Sequence, residues 1–350
     1  MGLEDKVTEA CHRIEELYYE TDGKCYISFS GGKDSTVILA LTKMCEDILT
    51  IPKNAIPAVF VDTGIEMGVT VDFVKWVKEN WYPNVVTIRP EKSFDWVLKN
   101  KGKPVRSKVK SEFLHRYHKG VRSECTMQNL VRGVTNSGKI ARRTRLADRD
   151  FHMLHDDFDI VASPECCREL KKLPFVRYAK ENGIKGYALG TRADEGGVRA
   201  MNAMNHNGKI CTSISKGYIK KAVIVDWSTE DVDEFVEKYN VPLSDAYTKY
   251  GFDRTGCMGC PFNKNIGRDL RYLHDFEPGR YKACMHWLKD VYIAQDVELP
   301  YDQEYEEERK EAWKEKYEPM RQEMLRKYRP DSRMIKDGDQ MDIFDFLDRP

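Results

Sequence analysis

The chain has 350 residues, of which 41% are hydrophobic and 33% charged, and its 57 basic residues balance 57 acidic ones. This length suits one large α/β domain with an appendage, or two domains. Zero net charge gives no global reason to expect a nucleic-acid or membrane partner. No apolar stretch reaches the length of a transmembrane helix, and the charged N-terminus lacks a signal region. We therefore expect a cytoplasmic protein.

The first elements alternate between helix and strand. Residues 1–20 have apolar side chains at helical spacing and predict an N-terminal helix. Residues 25–29, 58–61 and 84–89 predict buried strands, and residues 71–81 predict an amphipathic helix between the last two. Such alternation is typical of a parallel sheet that is covered by helices on both faces. Ligands of these sheets lie at the carboxyl ends of the strands.

The loop after the first strand has the properties of an anion site. It reads Ser30, Gly31, Gly32, Lys33, Asp34 and Ser35, and an apolar helical run follows. Backbone N–H groups and the dipole at a helix N-terminus favour phosphate, and glycine lets the backbone approach it closely. Lys33 adds a full positive charge. The spacing is neither that of a Walker A loop nor GxGxxG.

A basic segment interrupts the α/β pattern. Residues 101–150 contain 14 Lys and Arg against 4 Asp and Glu, a local net charge of 14 − 4 = +10. We interpret residues 101–159 as an insertion or lid. A solvated face and a surface that contacts phosphate or a nucleic-acid acceptor both remain open. The only aromatic residues of note, Phe113 and Tyr117, are too few to favour stacking on single strands.

The α/β pattern then returns and gives way to helix. Residues 185–190 predict a strand, and residues 222–226 predict the last core strand. Ser228 is placed to cap a helix that runs to about Tyr239. Residues 266–350 predict a helical, acidic C-terminal extension, with 17 acids against 11 bases from position 291 onward. Its end is expected to cross the protein's own surface or to dock on a protein partner.

Cysteines are numerous for a chain expected in a reducing compartment, where structural disulfides are rare. Two pairs indicate a metal or redox centre: adjacent Cys166 and Cys167, and Cys257 with Cys260 in a CxxC motif. Four thiolates suit zinc or an iron–sulfur cluster. Adjacent cysteines do not form a zinc knuckle, which favours the cluster. The other apolar-context cysteines are expected to be small buried hydrophobic residues: Cys11, Cys25, Cys45 and Cys211.

The SGGKDS loop resembles that of the PP-loop ATP pyrophosphatase superfamily, whose members cleave ATP between the α- and β-phosphates. Further segments resemble the phosphoadenylyl-sulfate and adenylyl-sulfate reductase family in the same order: VDTGIEM, IRPEKSFDWVL, CCRELKKLPF, LGTRADEGGVRA and the stretch leading into CMGCPF. The resemblance covers roughly residues 20–265 without the basic insertion. It implies a doubly wound, mostly parallel sheet of the adenine nucleotide alpha hydrolase-like type, formed by residues 21–100 and 160–265.

The resemblance also implies residue roles. The phosphate loop would hold ATP, adenylyl sulfate or phosphoadenylyl sulfate, with Mg²⁺ on the phosphates of ATP. Asp62, Glu66 and Gly190 would lie near the nucleotide. Arg192 and Arg199 would meet the anionic reacting group and act in catalysis together with Lys33 and Asp34. The family's iron–sulfur branch binds a [4Fe–4S] cluster, here through Cys166, Cys167, Cys257 and Cys260.

One departure from the family affects the expected reaction. Its reductases use a cysteine in a C-terminal Glu-Cys-Gly segment, whereas the last cysteine here is Cys284, outside such a segment. Cys284 and Cys125 are secondary nucleophile candidates, and the basic surroundings of Cys125 would favour a thiolate. We therefore expect ATP-dependent sulfur transfer by adenylation of an acceptor, as in the related DNA phosphorothioation sulfurtransferases, with a cysteine desulfurase as donor. The alternatives are a thioredoxin-dependent reductase that releases sulfite, and a non-catalytic nucleotide-sensing protein.

Overall fold

The computed structural model describes residues 2–135, 137–194, 212–215 and 217–329. They form two compact units, which are described separately below. The first comprises residues 1–100, 165–260 and 273–283, and the second comprises residues 101–164, 261–272 and those from 284 onward, each as far as described. Arg199, Cys211 and residues 330–350 lie outside the described ranges. None of the helices in those ranges is long and apolar enough to cross a membrane.

The first unit contains a six-stranded sheet. Its strands are β1 Cys25–Ser28, β2 Ala58–Val61, β3 Val85–Ile88, β4 Gly186–Leu189, β5 Thr212–Ser215 and β6 Tyr218–Ala222. The order across the sheet is β3-β2-β1-β4-β6-β5, and β1 lies parallel to both β2 and β4. Every neighbouring pair is parallel except β5 and β6, which are antiparallel. The predicted mostly parallel α/β sheet is therefore confirmed.

Helices alternate with these strands and continue to the end of the described chain. In order they are α1 Leu3–Glu20, α2 Lys33–Asp47, α3 Gly68–Asn80, α4 Phe94–Lys101, α5 Lys108–His118, α6 Glu124–Met127, α7 Glu165–Cys167, α8 Leu173–Glu181, α9 Thr229–Lys238, α10 Asp245–Thr248, α11 Ile266–Phe276, α12 Pro278–Ala294, α13 Gln303–Ala312 and α14 Glu318–Tyr328. Short π-helical turns extend α6 and link α7 to α8 and α13 to α14. Ser228 caps α9 as predicted, because its Oγ accepts from the Asp231 N–H at 3.2 Å.

The core of the first unit lies between the sheet and its helices. The fully buried side chains include Ile27 on β1, Val37 and Leu41 on α2, and Leu17 on α1. α2 contacts β1 on one side and α1 on the other. Burial on both faces explains why β2 reads as an uninterrupted apolar run, Ala-Val-Phe-Val. This packing fixes the start of α2 at the carboxyl end of β1.

The prediction of a strand at residues 222–226 is wrong. Pairing ends at Ala222, and the next four residues form turns in which the Val225 N–H donates to the Ala222 carbonyl at 3.3 Å. Val223 and Ile224 are fully buried all the same. Their apolar character therefore reports burial, which a tight turn over the core satisfies as well as a strand does. The observed strand β6, Tyr218–Ala222, begins four residues before the predicted one and contains two lysines.

The second unit has its own core around a 3₁₀ turn at Asp148–Leu154, on which α14 packs. His152 is fully buried there, and its Nε2 lies 2.9 Å from the Ala294 carbonyl. The Trp313 indole donates to the Ile293 carbonyl at 2.6 Å. The Tyr117 hydroxyl donates to the Leu154 carbonyl at the same distance, 2.6 Å. These bonds satisfy buried backbone carbonyls that water cannot reach.

Candidate nucleotide and cysteine sites

The phosphate loop connects β1 to α2 at the edge of the sheet where the strands end. Gly31 has φ +70°, and a Cβ there would lie 3.0 Å from Val74 Cγ2 and 3.1 Å from Thr70 Cγ2. Both its conformation and its surroundings therefore require glycine. Lys33 begins α2, so the first N–H groups of this 15-residue helix lie at the loop. The arrangement suits a bound phosphate.

Two hydroxyls organise the loop from inside. Ser35 Oγ donates to the Gly32 carbonyl at 2.8 Å and accepts from the Ser30 N–H at 3.2 Å. Ser30 Oγ lies 3.1 Å from Ser35 Oγ and accepts from the Gly32 N–H at 3.3 Å. The structure therefore brings both predicted serines together as parts of the loop framework. The two serines are five positions apart, and their hydroxyls meet because the chain turns at Gly31.

Lys33 contacts residues that the sequence did not single out. Its Nζ lies 2.6 Å from Oδ1 of Asp233 on α9 and 5.6 Å from the ring of Tyr247 on α10. Its backbone N–H donates to the Tyr247 hydroxyl at 3.1 Å. A helix N-terminal N–H and the loop ammonium are thus both satisfied by protein groups. A phosphate that arrives at this site has to replace them.

Asp34, Gly190 and Arg192 meet at the first turn of α2. Arg192 Nη1 lies 3.4 Å from Asp34 Oδ1, and its Nε lies 3.1 Å from Asp194 Oδ1. Only 8% of Arg192 is exposed. A Cβ on Gly190 would lie 3.0 Å from the Asp34 backbone, so the residue that follows β4 packs directly against the first turn of α2. The structure therefore joins these three predicted residues to the phosphate loop.

The two predicted carboxylates of the DTGIE segment lie in different surroundings. Asp62 accepts from Arg89 Nε at 3.1 Å and from Arg89 Nη2 at 3.0 Å. Glu66 is buried, accepts from the Thr63 hydroxyl at 2.9 Å and lies 3.2 Å from Lys171 Nζ. The backbone of Glu66 also forms an isolated antiparallel bridge with Cys257. Glu66 is therefore a neighbour of the CxxC turn.

The CxxC turn is held against the DTGIE segment by its backbone. The Met258 N–H donates to the Ile65 carbonyl at 2.8 Å, and the Met258 side chain is buried. Gly259 has φ +56°, which lets the chain turn between the two cysteines. Cys257 and Cys260 consequently emerge on the same short turn.

The four cysteines of the predicted centre influence one another electrostatically. The pKa of Cys166 is raised by its hydrogen bond with Cys167 and by burial, and further by the nearby thiols of Cys260 and Cys257. Burial raises the pKa of Cys257 to about 12, although Lys171 acts in the opposite direction. The structure therefore brings together four residues from two segments that lie 90 positions apart (257 − 167). None of the cysteines in the described part of the chain is in a disulfide.

Lys171 joins this group from the turn after Cys-Cys. Burial disfavours its ammonium, but Cys257 and Glu66 more than offset burial and raise its pKa. It therefore stays charged between a thiol and a buried carboxylate. Lys171 belongs to the CCRELKKLPF segment, and the sequence alone predicts no role for it. The feature of the sequence that could have indicated its proximity to the cysteines is its position four residues after Cys167, which is about one helical turn.

The two secondary nucleophile candidates differ in access. Cys284 is 1% exposed on α12. Cys125 is half-buried at the start of α6, where Asn129 Nδ2 lies 3.7 Å from its sulfur. Neither belongs to the cysteine group above.

Within the described ranges, no three His, Cys, Asp or Glu side chains converge closely enough to hold a metal ion. The thiols of Cys257 and Cys260 are nevertheless near enough to Cys166 to raise its pKa.

The chain is similar to several known proteins. It is 24% identical over 277 residues to the uncharacterized protein MJ0973 of Methanocaldococcus jannaschii, covering 74% of this chain and 50% of the relative. It is 30% identical over 121 residues to an adenosine 5′-phosphosulfate reductase of Streptomyces coelicolor, covering 34% of this chain and 45% of the relative. The chain thus spans half or less of the length of these relatives.

Solved structures give more distant matches. A phosphoadenylyl-sulfate reductase from Candida auris matches with a TM-score of 0.39 at 16% identity, over 69% of this chain and 87% of that one. An FMN adenylyltransferase from Candida glabrata matches with a TM-score of 0.38 at 12% identity, over 74% and 64%. The family model described as phosphoadenosine phosphosulfate reductase domain matches residues 24–263, which include the phosphate loop and all four clustered cysteines. The chain therefore belongs to the phosphoadenosine phosphosulfate reductase domain family.

Proposed function

We propose that this chain is an ATP-dependent sulfur-transfer enzyme that activates an acceptor by adenylation and carries a [4Fe–4S] cluster. The observation that carries the proposal is the combination of a phosphate loop at the carboxyl end of β1 with four thiols and Lys171 in the same unit. Membership of the reductase family supports a nucleotide as the ligand. The 1% exposure of Cys284 argues against a reduction that would use this thiol as the nucleophile.

In this proposal the nucleotide phosphates bind the first turn of α2. The helix N–H groups and Lys33 neutralise the β- and γ-phosphates, and Mg²⁺ arrives on the phosphates. An oxygen of the acceptor attacks the α-phosphorus, forming a P–O bond while the bond to the leaving pyrophosphate breaks. Arg192, whose Nη1 lies 3.4 Å from Asp34 Oδ1, would meet the charge that develops on the α-phosphate. The terminal sulfur of the donor's persulfide then attacks the acceptor atom that bears this oxygen, and AMP leaves with the oxygen. A second thiol attacks the remaining S–S bond, so that the sulfur stays on the acceptor and the donor cysteine leaves as a disulfide with that thiol.

The four cysteines fit a cluster by their chemistry. They are soft ligands on α7 and on the CxxC turn, they form no disulfides, and Lys171 lies beside Cys257 to balance the negative charge of thiolates. A bound iron–sulfur cluster carries electrons at a potential that its charge and hydrogen bonds set. The ammonium of Lys171 would offset the negative charge of the thiolate ligands and would remain paired with the Glu66 carboxylate.

Pyrophosphate release tests the nucleotide half of the proposal. The full chain is incubated with Mg·ATP, a persulfide donor and candidate acceptors, and pyrophosphate is measured. We expect acceptor-dependent release that falls by at least about 100-fold in Lys33→Met, because that ammonium stabilises the leaving group. Lys53→Met, which removes an exposed lysine elsewhere in the same unit, is the matched control. ATP binding without any release would instead support a non-catalytic nucleotide sensor.

Iron and acid-labile sulfide analysis under anaerobic conditions tests the cluster half. We expect close to four irons and four sulfides per chain in the wild type and a loss of both in Cys257→Ser. Cys45→Ser, which replaces a buried cysteine outside the group, should retain them. Zinc in place of iron, or iron that is unchanged in Cys257→Ser, would contradict the assignment.

A second candidate is a thiol-dependent sulfonucleotide reductase. The 30% identity to an adenosine 5′-phosphosulfate reductase favours it, although the match covers only 34% of this chain. Incubation with adenylyl sulfate or phosphoadenylyl sulfate and thioredoxin would then release sulfite. Sulfite production that is lost in Cys125→Ser or Cys284→Ser would establish this candidate in place of the first.

A further inference from the structure

Five exposed basic side chains lie within 14 positions in and around a short hairpin of the second unit, where Val134 and Ile140 form an antiparallel bridge. We call these five residues the basic hairpin surface: Arg132, Lys139, Arg142, Arg143 and Arg145. None of the five forms a salt bridge with a carboxylate in the described part of the chain, although ion pairs are frequent elsewhere in the unit. Five unneutralised cations within 14 positions create a strong local positive potential.

The acids of the same segment are engaged elsewhere. Between positions 132 and 150 the only acids are Asp148 and Asp150. Asp150 is 1% exposed and lies 2.6 Å from Arg106 Nη2. Asp148 forms an ion pair with Arg329. Both carboxylates of the segment are therefore paired with arginines outside it, whereas the five side chains of the basic hairpin surface are not paired with any carboxylate that the structure describes.

The surface is a folded element with its own anchors. Val134 and Ile140 form an antiparallel bridge, and the Thr135 N–H donates to the Lys139 carbonyl at 2.9 Å. Thr144 is buried, and its hydroxyl donates to the Asn129 carbonyl at 3.0 Å. The Leu146 N–H donates to the Leu130 carbonyl at 2.8 Å.

The anchors alternate with the arginines along the chain. Thr144 and Leu146 are buried, whereas their neighbours Arg143 and Arg145 are exposed. Fixing the backbone in this way lowers the entropy that the arginines lose when they bind a ligand. Arg145 lies near enough to Arg329 to lower the pKa of that guanidinium, although burial is the larger cause. The segment therefore carries more positive charge than its internal ion pairs neutralise.

We propose that the basic hairpin surface binds the phosphate backbone of a nucleic acid. Guanidinium groups bind phosphate oxygens bidentately, and an array of five matches a repeating polyanion better than a single small anion. Residues 132–149 contain no Phe, Tyr or Trp, so stacking on unpaired bases has no side chains to support it. The chemistry therefore favours a duplex, recognised through its phosphates and without a preferred sequence.

Binding of a fluorescein-labelled 30-base-pair duplex to the full chain without ATP, measured by anisotropy between 50 and 200 mM salt, tests this proposal. We expect the triple variant Arg142→Ala/Arg143→Ala/Arg145→Ala to bind at least about tenfold more weakly, with a salt slope smaller by roughly 2 to 3. The triple variant with lysines at these positions should retain most of the binding.

The matched control removes three exposed lysines of the first unit: Lys53→Ala/Lys78→Ala/Lys180→Ala. It changes the net charge equally and should leave affinity and slope unchanged. Equal losses in both triple variants, or unchanged binding in the arginine variant, would overturn the proposal. So would a single strand of the same length that binds more tightly than the duplex. That the bound nucleic acid is also the sulfur acceptor rests on the proposed function, but this assay uses no nucleotide and can fail independently of it.

Discussion

Lys33 Nζ and Asp233 Oδ1 lie 2.6 Å apart, which pairs the ammonium of the phosphate loop with a carboxylate on α9. Asp233 is 54% exposed at its side chain, so solvent screens the pair and the interaction is modest. A bound phosphate and Asp233 would compete for the same cation. Asp233 therefore acts against nucleotide binding in the chain as it stands.

Replacing Asp233 should tighten nucleotide binding. Exposed ion pairs contribute about 0.2–1 kcal/mol, so we expect Asp233→Asn to lower the Kd for Mg·ATP by a factor of roughly 1.5 to 5. Titration calorimetry measures the change directly. Asp72→Asn removes another exposed carboxylate of the same unit and should have no effect. Weaker binding in Asp233→Asn would mean that the carboxylate itself contacts the nucleotide or its metal.

A methyl group at Gly190 should disturb the phosphate loop. The added Cβ would lie 3.0 Å from the Asp34 backbone, which packing against β4 holds in place. We expect Gly190→Ala to lose about 1–3 kcal/mol of unfolding free energy and to bind ATP more weakly, because the first turn of α2 must shift. Gly279→Ala is the control, because its Cβ would meet no atom within 4 Å beyond its own helical turn and chain neighbours. Wild-type ATP affinity in Gly190→Ala would refute the expectation.

Removing Lys171 should leave Glu66 buried without its cation. Glu66 is 6% exposed and lies 3.2 Å from Lys171 Nζ, so Lys171→Met should cost about 1–3 kcal/mol in unfolding free energy. Urea denaturation of the metal-free chain at pH 7 provides the measurement. The double variant with Glu66→Gln should recover part of the loss, because the uncompensated charge is gone. Strictly additive losses would show that the two residues do not interact.

Acidification should destabilise the fold through His152. Burial lowers its pKa from 6.5 to about 4, so the folded state holds the imidazole neutral while the unfolded chain takes up a proton. The stabilisation is complete above pH 6.5 and is lost as the pH falls toward 4. Between pH 7.5 and 5 it should decrease by about 2 kcal/mol.

Comparison with a non-titrating variant isolates this contribution. In His152→Gln the unfolding free energy should change less between pH 7.5 and 5 than in the wild type, by about the same 2 kcal/mol. His12→Gln, which replaces an exposed histidine, should keep the wild-type dependence. Equal pH dependence in His152→Gln and the wild type would exclude His152 as the cause.

The sequence was most informative where function depends on neighbouring residues. The loop from Ser30 to Ser35 could be predicted because a strand, two glycines and a helix start follow one another within a dozen positions. The same holds for the Ser228 cap of α9, which needs only the backbone three residues on. By contrast, the strand predicted at residues 222–226 was wrong, because apolar composition reports burial and not backbone conformation.

Periodicity and local spacing were enough to predict the mostly parallel α/β sheet, its phosphate loop and the two short cysteine motifs. The residues that surround the loop and the cysteines could be identified only from the folded chain. The tertiary structure placed Asp233 and Tyr247 on Lys33 across 200 and 214 positions, and Glu66 and Lys171 beside Cys257. Contacts over such separations depend on how the helices pack on the sheet. No local pattern in the chain specifies them.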